Sequence, residues 1–435
     1  MASVPARSDL FLCIAIFALP FGLLTEVEFI GRIFLTEMLF LLLMPFLLLT
    51  SRAPLSQLRR KTLWLVASWL VALMVADFYR NSDAYDFLRG WAKLIFLSID
   101  FYVLCRLLTT QQRMLAWFVG WNIAYCIFAW QEFPEFATTW KFGVGVGSLN
   151  TVVGIATMVW PRRSRYFMLL LSVICIGYAI ASLLLNARSS FLAMTVSAFF
   201  LGICSLSRAR QLLIDLWDRH GLIVIIGAIA MAYVAGSAYI VGAGAGLFGD
   251  EARQKLEAQR LESFDPVLGI LAGGRPESFS SWAAIADSPI IGHGSWARNA
   301  EYFNIYINAL RTYGSAETIR EAEGKIYVGE PMIPTHSHIF GAWVEAGLIG
   351  AVFWVFVLRL IFRSMRRALD LRAPTDVLIL LTGAMMIWDV FFSPFGANER
   401  LSWAAALVLL IFGNQESPPV ADVASCTTSR QISSS

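Results

Sequence analysis

Charge is scarce in this sequence. Only 15% of its 435 residues are Asp, Glu, Lys or Arg, against 57% hydrophobic, and mean hydropathy is +0.64. So little charge excludes a chain folded around one water-soluble core. The strict apolar/polar alternation of a membrane β-barrel is also missing. No basic patch with interleaved aromatics is present, and a net charge of +3 makes no case for nucleic acid. Cysteine is sparse. Cys13, Cys105, Cys126, Cys175 and Cys204 fall in or beside apolar runs and Cys426 lies in the tail. With none in the longest polar connection, a disulfide framework is excluded. The outer segments lack acidic clusters with metal-ligand spacing, so neither a metal nor a cofactor is expected.

What is present is a series of apolar runs long enough to cross a bilayer as helices. They lie at about 10–24, 29–50, 63–79, 91–110, 114–130, 144–160, 167–185, 190–205, 221–245, 337–361, 376–394 and 400–413. The fold class is therefore all-α: a polytopic membrane protein of about twelve helices. Basic residues in alternate connections set its orientation. One set carries Arg52, Arg59, Arg60 and Lys61; then Arg106 and Arg113; then Arg162, Arg163 and Arg165; then Arg208, Arg210 and Arg219; then Arg363, Arg366, Arg367 and Arg372. The other set is poor in Lys and Arg. This alternation predicts an even number of spans with both termini cytoplasmic. Only Arg7 precedes the first run and no small-residue cleavage site follows it, so an uncleaved first helix is expected.

The predicted organisation is nine spans in 1–245, a large outer loop over 246–335, three spans in 336–413 and a disordered cytoplasmic tail over 414–435, rich in Ser, Pro and Thr. Within the loop, "DEARQKLEAQRLESF", "PESFSSWAAIAD" and "NAEYFNIYINALRTYG" have helical spacing. An aromatic-rich amphipathic loop can cover a lipid substrate; a folded cap with an ordinary apolar face fits the composition equally well.

The stretch "PTHSHIFGAWVEAGLIG", residues 334–350, places titratable groups in and beside an apolar helix, where they are costly and usually functional. Pro334 and Thr335 predict a helix start with Thr335 as N-cap and His336 in the first turn. On a continuous helix Glu345 lies opposite His336, so its partners must come from other helices, while Gly347 and Gly350 admit a neighbouring helix. A helix start favours a neutral imidazole and attracts phosphate.

"HSHIFGAWVEAGLIG" resembles the His-x8-Glu-x-Gly-x-x-Gly signature of the O-antigen ligase and O-antigen polymerase family, matching His336, Glu345, Gly347 and Gly350. Ser337 stands where the family usually has Asn. "GGRPESFSSWAAIADSPIIGHGS" resembles the family's Gly-Arg…Pro-x-x-Gly-x-Gly segment at Gly274, Arg275, Pro289, Gly292 and Gly294, and "LLLNARSSFLAM" matches an arginine opening an outer-side span, Arg188, with Ala187 in place of the usual Ser. The ordered motifs, the twelve expected spans and the large outer loop before the histidine together cover most of the chain.

The resemblance implies metal-independent glycosyl transfer at the outer face of the bacterial inner membrane. A glycan on undecaprenyl diphosphate passes to an acceptor hydroxyl, either lipid A core in a ligase or a growing polysaccharide, such as an exopolysaccharide, in a polymerase. It implies His336 as base, Arg188 and Arg275 on the diphosphate, and a supporting role for Glu345, Gly347 and Gly350. The motifs do not separate ligase from polymerase.

Plainer roles compete. Arg188 can anchor its helix at headgroups, Arg275 can serve a loop salt bridge, and His336 can bond a loop carbonyl. His338 reads as a structural neighbour, and His293 as a turn residue. Arg89 and Lys93, one helical turn apart near an outer span end, read as bilayer-surface cations ahead of phosphate ligands. The rival class is a flippase for the same lipid-linked glycan, with Asp77, Asp100 and Asp389 as intramembrane charges. It is disfavoured by the absence of an internal repeat. A non-catalytic partner in a polysaccharide assembly complex is the third reading.

Overall fold

The structure, a computed structural model, describes residues 7–28, 31–51, 53–160, 164–259, 274–313, 319–320, 322–324 and 331–414. Arg52, Arg162, Arg163, Cys426 and the tail beyond 414 fall outside these residues. Apart from one hairpin, the described elements are helical. They are α1 (Arg7–Ala18) and a 3-10 turn; the β1 (Glu26–Glu28) and β2 (Arg32–Phe34) hairpin; α2 (Leu35–Thr50), α3 (Gln57–Arg80), α4 (Ala84–Leu107), α5 (Gln111–Glu132), α6 (Phe136–Thr139), α7 (Gly145–Val159), α8 (Arg165–Leu184), α9 (Arg188–Ser205) and α10 (Ser207–Gly244). The expected loop helices form as α11 (Asp250–Gln259), α12 (Glu277–Asp287) and α13 (Ala300–Tyr313). The chain closes with α14 (His338–Ala368), α15 (Pro374–Phe392) and α16 (Ala397–Asn414).

Seven of these helical runs are long and apolar enough to cross a membrane: α3, α6 with α7, α8, α9, α10, α14 and α15. Large apolar side chains face outward along the bundle, among them Leu42, Leu49 and Trp64, as expected where lipid replaces water. Helix also occupies the other five expected stretches. In α4 and α16 the apolar run is interrupted because their polar groups turn inward and pair: Asp86 with Arg298, Lys93 with Glu345, Arg400 with Glu37.

The connections meet in two groups. In one, Arg106 donates to the Ala53 carbonyl at 2.7 Å, Arg113 meets Asp9 at 3.1 Å and Arg366 meets Asp218 at 2.7 Å. In the other, Arg80 at the end of α3 holds Ser288 and Gly292, Arg400 reaches the Arg32 carbonyl, and Arg298 reaches Asp86. The second group gathers around the start of α14, which packs on α3, α12, α15 and α16. Trp69, Phe353, Trp354 and Phe395 interlock beneath it, and a smaller core of Ala284, Ile285, Tyr302, Ile333 and Val344 fastens α12 and α13 to its first turns.

Candidate functional site

Helix α14 departs from the continuous helix expected of its sequence. Its N-cap is Ser337 rather than Thr335: the Ser337 hydroxyl accepts from Phe340 N at 3.2 Å and donates to the Val390 carbonyl at 2.9 Å. His336 therefore stands before the helix, not in its first turn. The helix then breaks at Gly347, whose φ of 64° and ψ of −157° are open only to glycine without strain. The side chains on either side of the break no longer share helical faces.

The break frees the carbonyls of Val344 and Glu345, and a second segment fills them. His293 N donates to Val344 O at 2.7 Å and Gly294 N to Glu345 O at 3.0 Å. A Cβ at Gly347 would overlap the Ile290 carbonyl, and one at Gly292, where φ is 88°, would lie 2.6 Å from Gly347 N. So Gly347 admits a loop, not the neighbouring helix expected of it. Gly350 is approached by the Ala342 carbonyl of its own folded-back chain and by Trp69.

The loop is held from several sides. Trp343 donates to Pro289 O at 2.8 Å, Arg80 binds Ser288 Oγ at 2.8 Å, and the ring of His293 meets Ala284 O at 2.8 Å. Asp77 accepts from Ser295 N at 2.6 Å, Ser295 Oγ at 2.8 Å and Trp91 at 2.8 Å. At about 1 kcal/mol net for each such bond, and more for those to charge, the loop is firmly fixed against α3 and α14.

Between this loop, the 331–337 segment that leads into α14, and α4 lies a cavity of about 590 Å³, a size suited to a ligand. His336, His338, Glu277, Lys93, Glu345 and Trp296 line it. Its two histidines differ. His338 is fully buried; Trp403 Nε1 donates to its Nε2 at 2.8 Å, so its proton sits on Nδ1 and is given to Ser393 O at 2.6 Å. Both its nitrogens are occupied. His336 makes no hydrogen bond among the described residues. Burial first, then the charges of Arg275 and Lys141, push its pKa down to about 4, so it is neutral at pH 7.

Arg275 is half-buried beside Glu277, and burial lowers its pKa while Glu277 opposes the shift. The Glu277 carboxyl is raised by burial against the opposing pull of a backbone N–H and Arg275, and its Oε2 is buried without a partner. Lys93 is not a surface cation, as its position in sequence suggested: it is buried in a 2.7 Å ion pair with Glu345, the cross-helix partner that Glu345 requires. Breaking such a pair by removing one member costs on the order of 3–5 kcal/mol. Arg89 stacks on Trp296 at 4.1 Å from the ring centroid. Arg188 opens α9 with its guanidinium over Tyr239 at 5.4 Å, and it does not line this cavity.

Glu277, Lys141, Trp296 and Arg298 were missed in sequence. Glu277 follows the matched arginine by two positions, which was a usable signal. Lys141 sits in the π-turn Trp140–Val144, far from every motif. Among the described residues, no group of three or more His, Cys, Asp or Glu side chains has a metal-holding arrangement. A comparison with protein-family models and with curated proteins finds no match.

Proposed function

We propose that this chain is a glycosyltransferase of the O-antigen ligase and polymerase type, multi-pass in the bacterial inner membrane. It moves a glycan from undecaprenyl diphosphate to lipid A core or to a growing polysaccharide. The observation that carries this reading is the interlock of two motif segments distant in sequence. Pro289–Gly294 locks onto Val344–Gly347, and His336 lines the cavity beside them, within electrostatic reach of Arg275, which does not line it.

In the proposed reaction His336, neutral at pH 7, accepts the proton of the acceptor hydroxyl. The acceptor oxygen bonds to the anomeric carbon as the bond from that carbon to the diphosphate oxygen breaks, with inversion. The departing electron pair stays on the diphosphate, whose charge Arg275, close enough to bear on His336, stabilises; Arg188 lies outside the cavity over Tyr239, so its share requires a diphosphate that extends beyond the cavity. The proton on His336 then returns to water. Glu345 takes no proton in this scheme; with Lys93 it fixes the broken helix.

We further propose twelve crossings with both termini in the cytoplasm and residues 246–335 in the periplasm. The pairing of cytoplasmic-set connections with one another, Arg106 with Ala53 and Arg366 with Asp218, supports the orientation, and the twelve apolar runs support the count.

Flippase activity is the second reading, and one observation favours it. Asp100 is fully buried and both its carboxylate oxygens lack a hydrogen bond. Asp77 and Asp389 are instead engaged, Asp389 by Ser393 at 2.7 Å.

The test uses purified protein in lipid with an undecaprenyl-diphosphate glycan and candidate acceptors, lipid A core included. Wild type is expected to transfer glycan, and folded His336→Ala and Arg188→Ala variants to lose transfer by about 10²-fold or more. The accepted acceptor separates ligase from polymerase. Wild-type protein that transfers nothing yet moves the lipid across vesicles would sink the enzyme reading in favour of the flippase.

A further inference from the structure

A second cavity, about 630 Å³, adjoins the first across Lys93, Trp296, Pro394 and Gly396, which line both. Its remaining wall comes from the β1–β2 hairpin, the start of α4 and the turn into α16. We infer that this second cavity is the acceptor site, and that it takes a sugar bearing a carboxylate or phosphate. The inference rests on the glycan-transfer reading and assigns that reaction's second substrate.

Arg89 carries the argument. The other cations here are already matched. Lys93 is closed in its pair with Glu345, and Arg400 binds Glu37 through two bonds of 2.8 and 2.7 Å. Arg32 lies among Glu26, Glu28 and Glu132 at 3.8–3.9 Å. Among the described residues, Asp86 is the one carboxylate within 4.0 Å of Arg89, and it is already held by Arg298 at 3.0 Å; Glu28 and Glu399 also line the cavity but form no ion pair with Arg89. Arg89 makes no hydrogen bond among the described residues. Its guanidinium carbon sits over the rings of Trp296 and Tyr85, 4.1 and 5.3 Å from their centroids. Two aromatic rings thus position it while its N–H donors are unspent on the described residues, an arrangement that suits a planar, two-oxygen anion.

Trp296 supports the same conclusion independently. Its φ of 51° is a left-handed conformation that an aromatic residue rarely adopts, and its Nε1 is buried without a partner. Strain of that kind persists where surrounding structure imposes it, and it collects at ligand sites. Here Ser295, pinned by Asp77, and Arg298, pinned by Asp86, hold the chain on either side. The indole stands as the partition between the cavities. Tyr85 and Trp296 offer apolar faces to the C–H face of a sugar ring, while Glu28 and Asn398 offer polar atoms to its hydroxyls. For transfer, the acceptor hydroxyl must reach past Trp296 and Lys93, which line both cavities, into the first cavity, where His336 lies.

Binding tests this without turnover. Protein in phosphatidylcholine nanodiscs is titrated with digalacturonate, with mannose 6-phosphate and with neutral lactose. The variants are Arg89→Ala, Arg89→Lys and His336→Ala, each checked by thermal melting. At least one acidic sugar is expected to bind wild type and His336→Ala alike. Its affinity is expected to fall about tenfold or more in Arg89→Ala, as for loss of a charge-assisted bond, and less in Arg89→Lys, which keeps charge but loses the fork.

Lactose binding as well as the acidic sugars, wild type binding neither, or unchanged affinity in both Arg89 variants overturns the inference. So does inorganic phosphate binding equally well, which marks an unselective anion site, or loss of binding in phosphatidylglycerol discs, which marks a lipid headgroup as occupant. Acidic-sugar binding by a wild type that transfers nothing counts against the transfer reading and not against the cavity. Transfer with an unchanged acceptor KM in a folded Arg89→Ala variant counts against the cavity alone.

Discussion

His336 is set by three neighbours that its own sequence context does not reveal. Burial, Arg275 and Lys141 each disfavour the imidazolium, in that order, and bring the pKa from 6.5 to about 4. The sign follows directly. The neutral base persists as pH falls until about 4, and removing a positive neighbour lets protonation begin at higher pH. We predict that the acid limb of the transfer rate lies near pH 4 in wild type and moves up toward 6.5 in Arg275→Gln, without reaching it because burial remains. Rates measured from pH 3 to 8 check this; an unmoved limb in a folded, active variant would remove His336 as the titrating base. The same shift bears on stability. The folded state favours the neutral ring, so its contribution is full above 6.5 and is lost as pH falls from there through about 4. His338 behaves differently because both its nitrogens are committed.

At the scale of elements, the decisive feature is the break in α14. Two glycines with positive φ meet there: a Cβ at Gly347 would strike the backbone of Ile290 and Ile291, and one at Gly292 would strike Gly347 N and the Glu345 carbonyl. Gly347→Ala is expected to destabilise the protein by about 2 kcal/mol or more, from left-handed strain plus overlap with the loop. It is also expected to abolish transfer, because the loop carries Trp296 and Arg298 into the cavity walls. Gly324→Ala, at a helical glycine with open space around it, is the matched control. Thermal melting and transfer assays on both variants decide the matter; wild-type behaviour in Gly347→Ala would refute the interlock as a functional element. The signature glycines were legible in sequence, but their partner was not. A small-residue spacing looks the same whether a helix or a loop uses the gap.

For the whole molecule, the alternation of basic connections and their meeting in two groups lead to one prediction about topology. In a chain cleared of native cysteines, Ala84→Cys at the exposed start of α4 should react with a membrane-impermeant maleimide applied to spheroplasts. Ser207→Cys at the exposed start of α10 should react only after permeabilisation. The opposite pattern, or equal labelling of both, would exclude the proposed orientation. Seven helical runs satisfy a length-and-hydropathy criterion. Of the remainder, the runs Asp9–Leu24 and Leu35–Thr50 are apolar but shorter, whereas α4 and α16 carry Lys93 and Arg400, which are paired inside the bundle. Hydropathy counts a residue's chemistry but not the direction in which it points.

The sequence by itself determined the class of this protein, because apolar run length and low charge leave few other ways to satisfy a backbone. It also determined the helices of the long loop, because amphipathic spacing is local, and it singled out His336 and Glu345 by their cost in an apolar run. Only tertiary structure decided which histidine has free nitrogens, that Lys93 belongs to Glu345, that the glycines receive a loop, and that Arg89 and Trp296 wall a second cavity. Each of these depends on contacts between residues some 50 to 250 positions apart, such as Gly347 with Ile290, His338 with Trp403, Lys93 with Glu345 and Arg89 with Trp296, or on which groups crowd a buried atom. Local periodicity carries no record of such distances; the packing of helices supplies them.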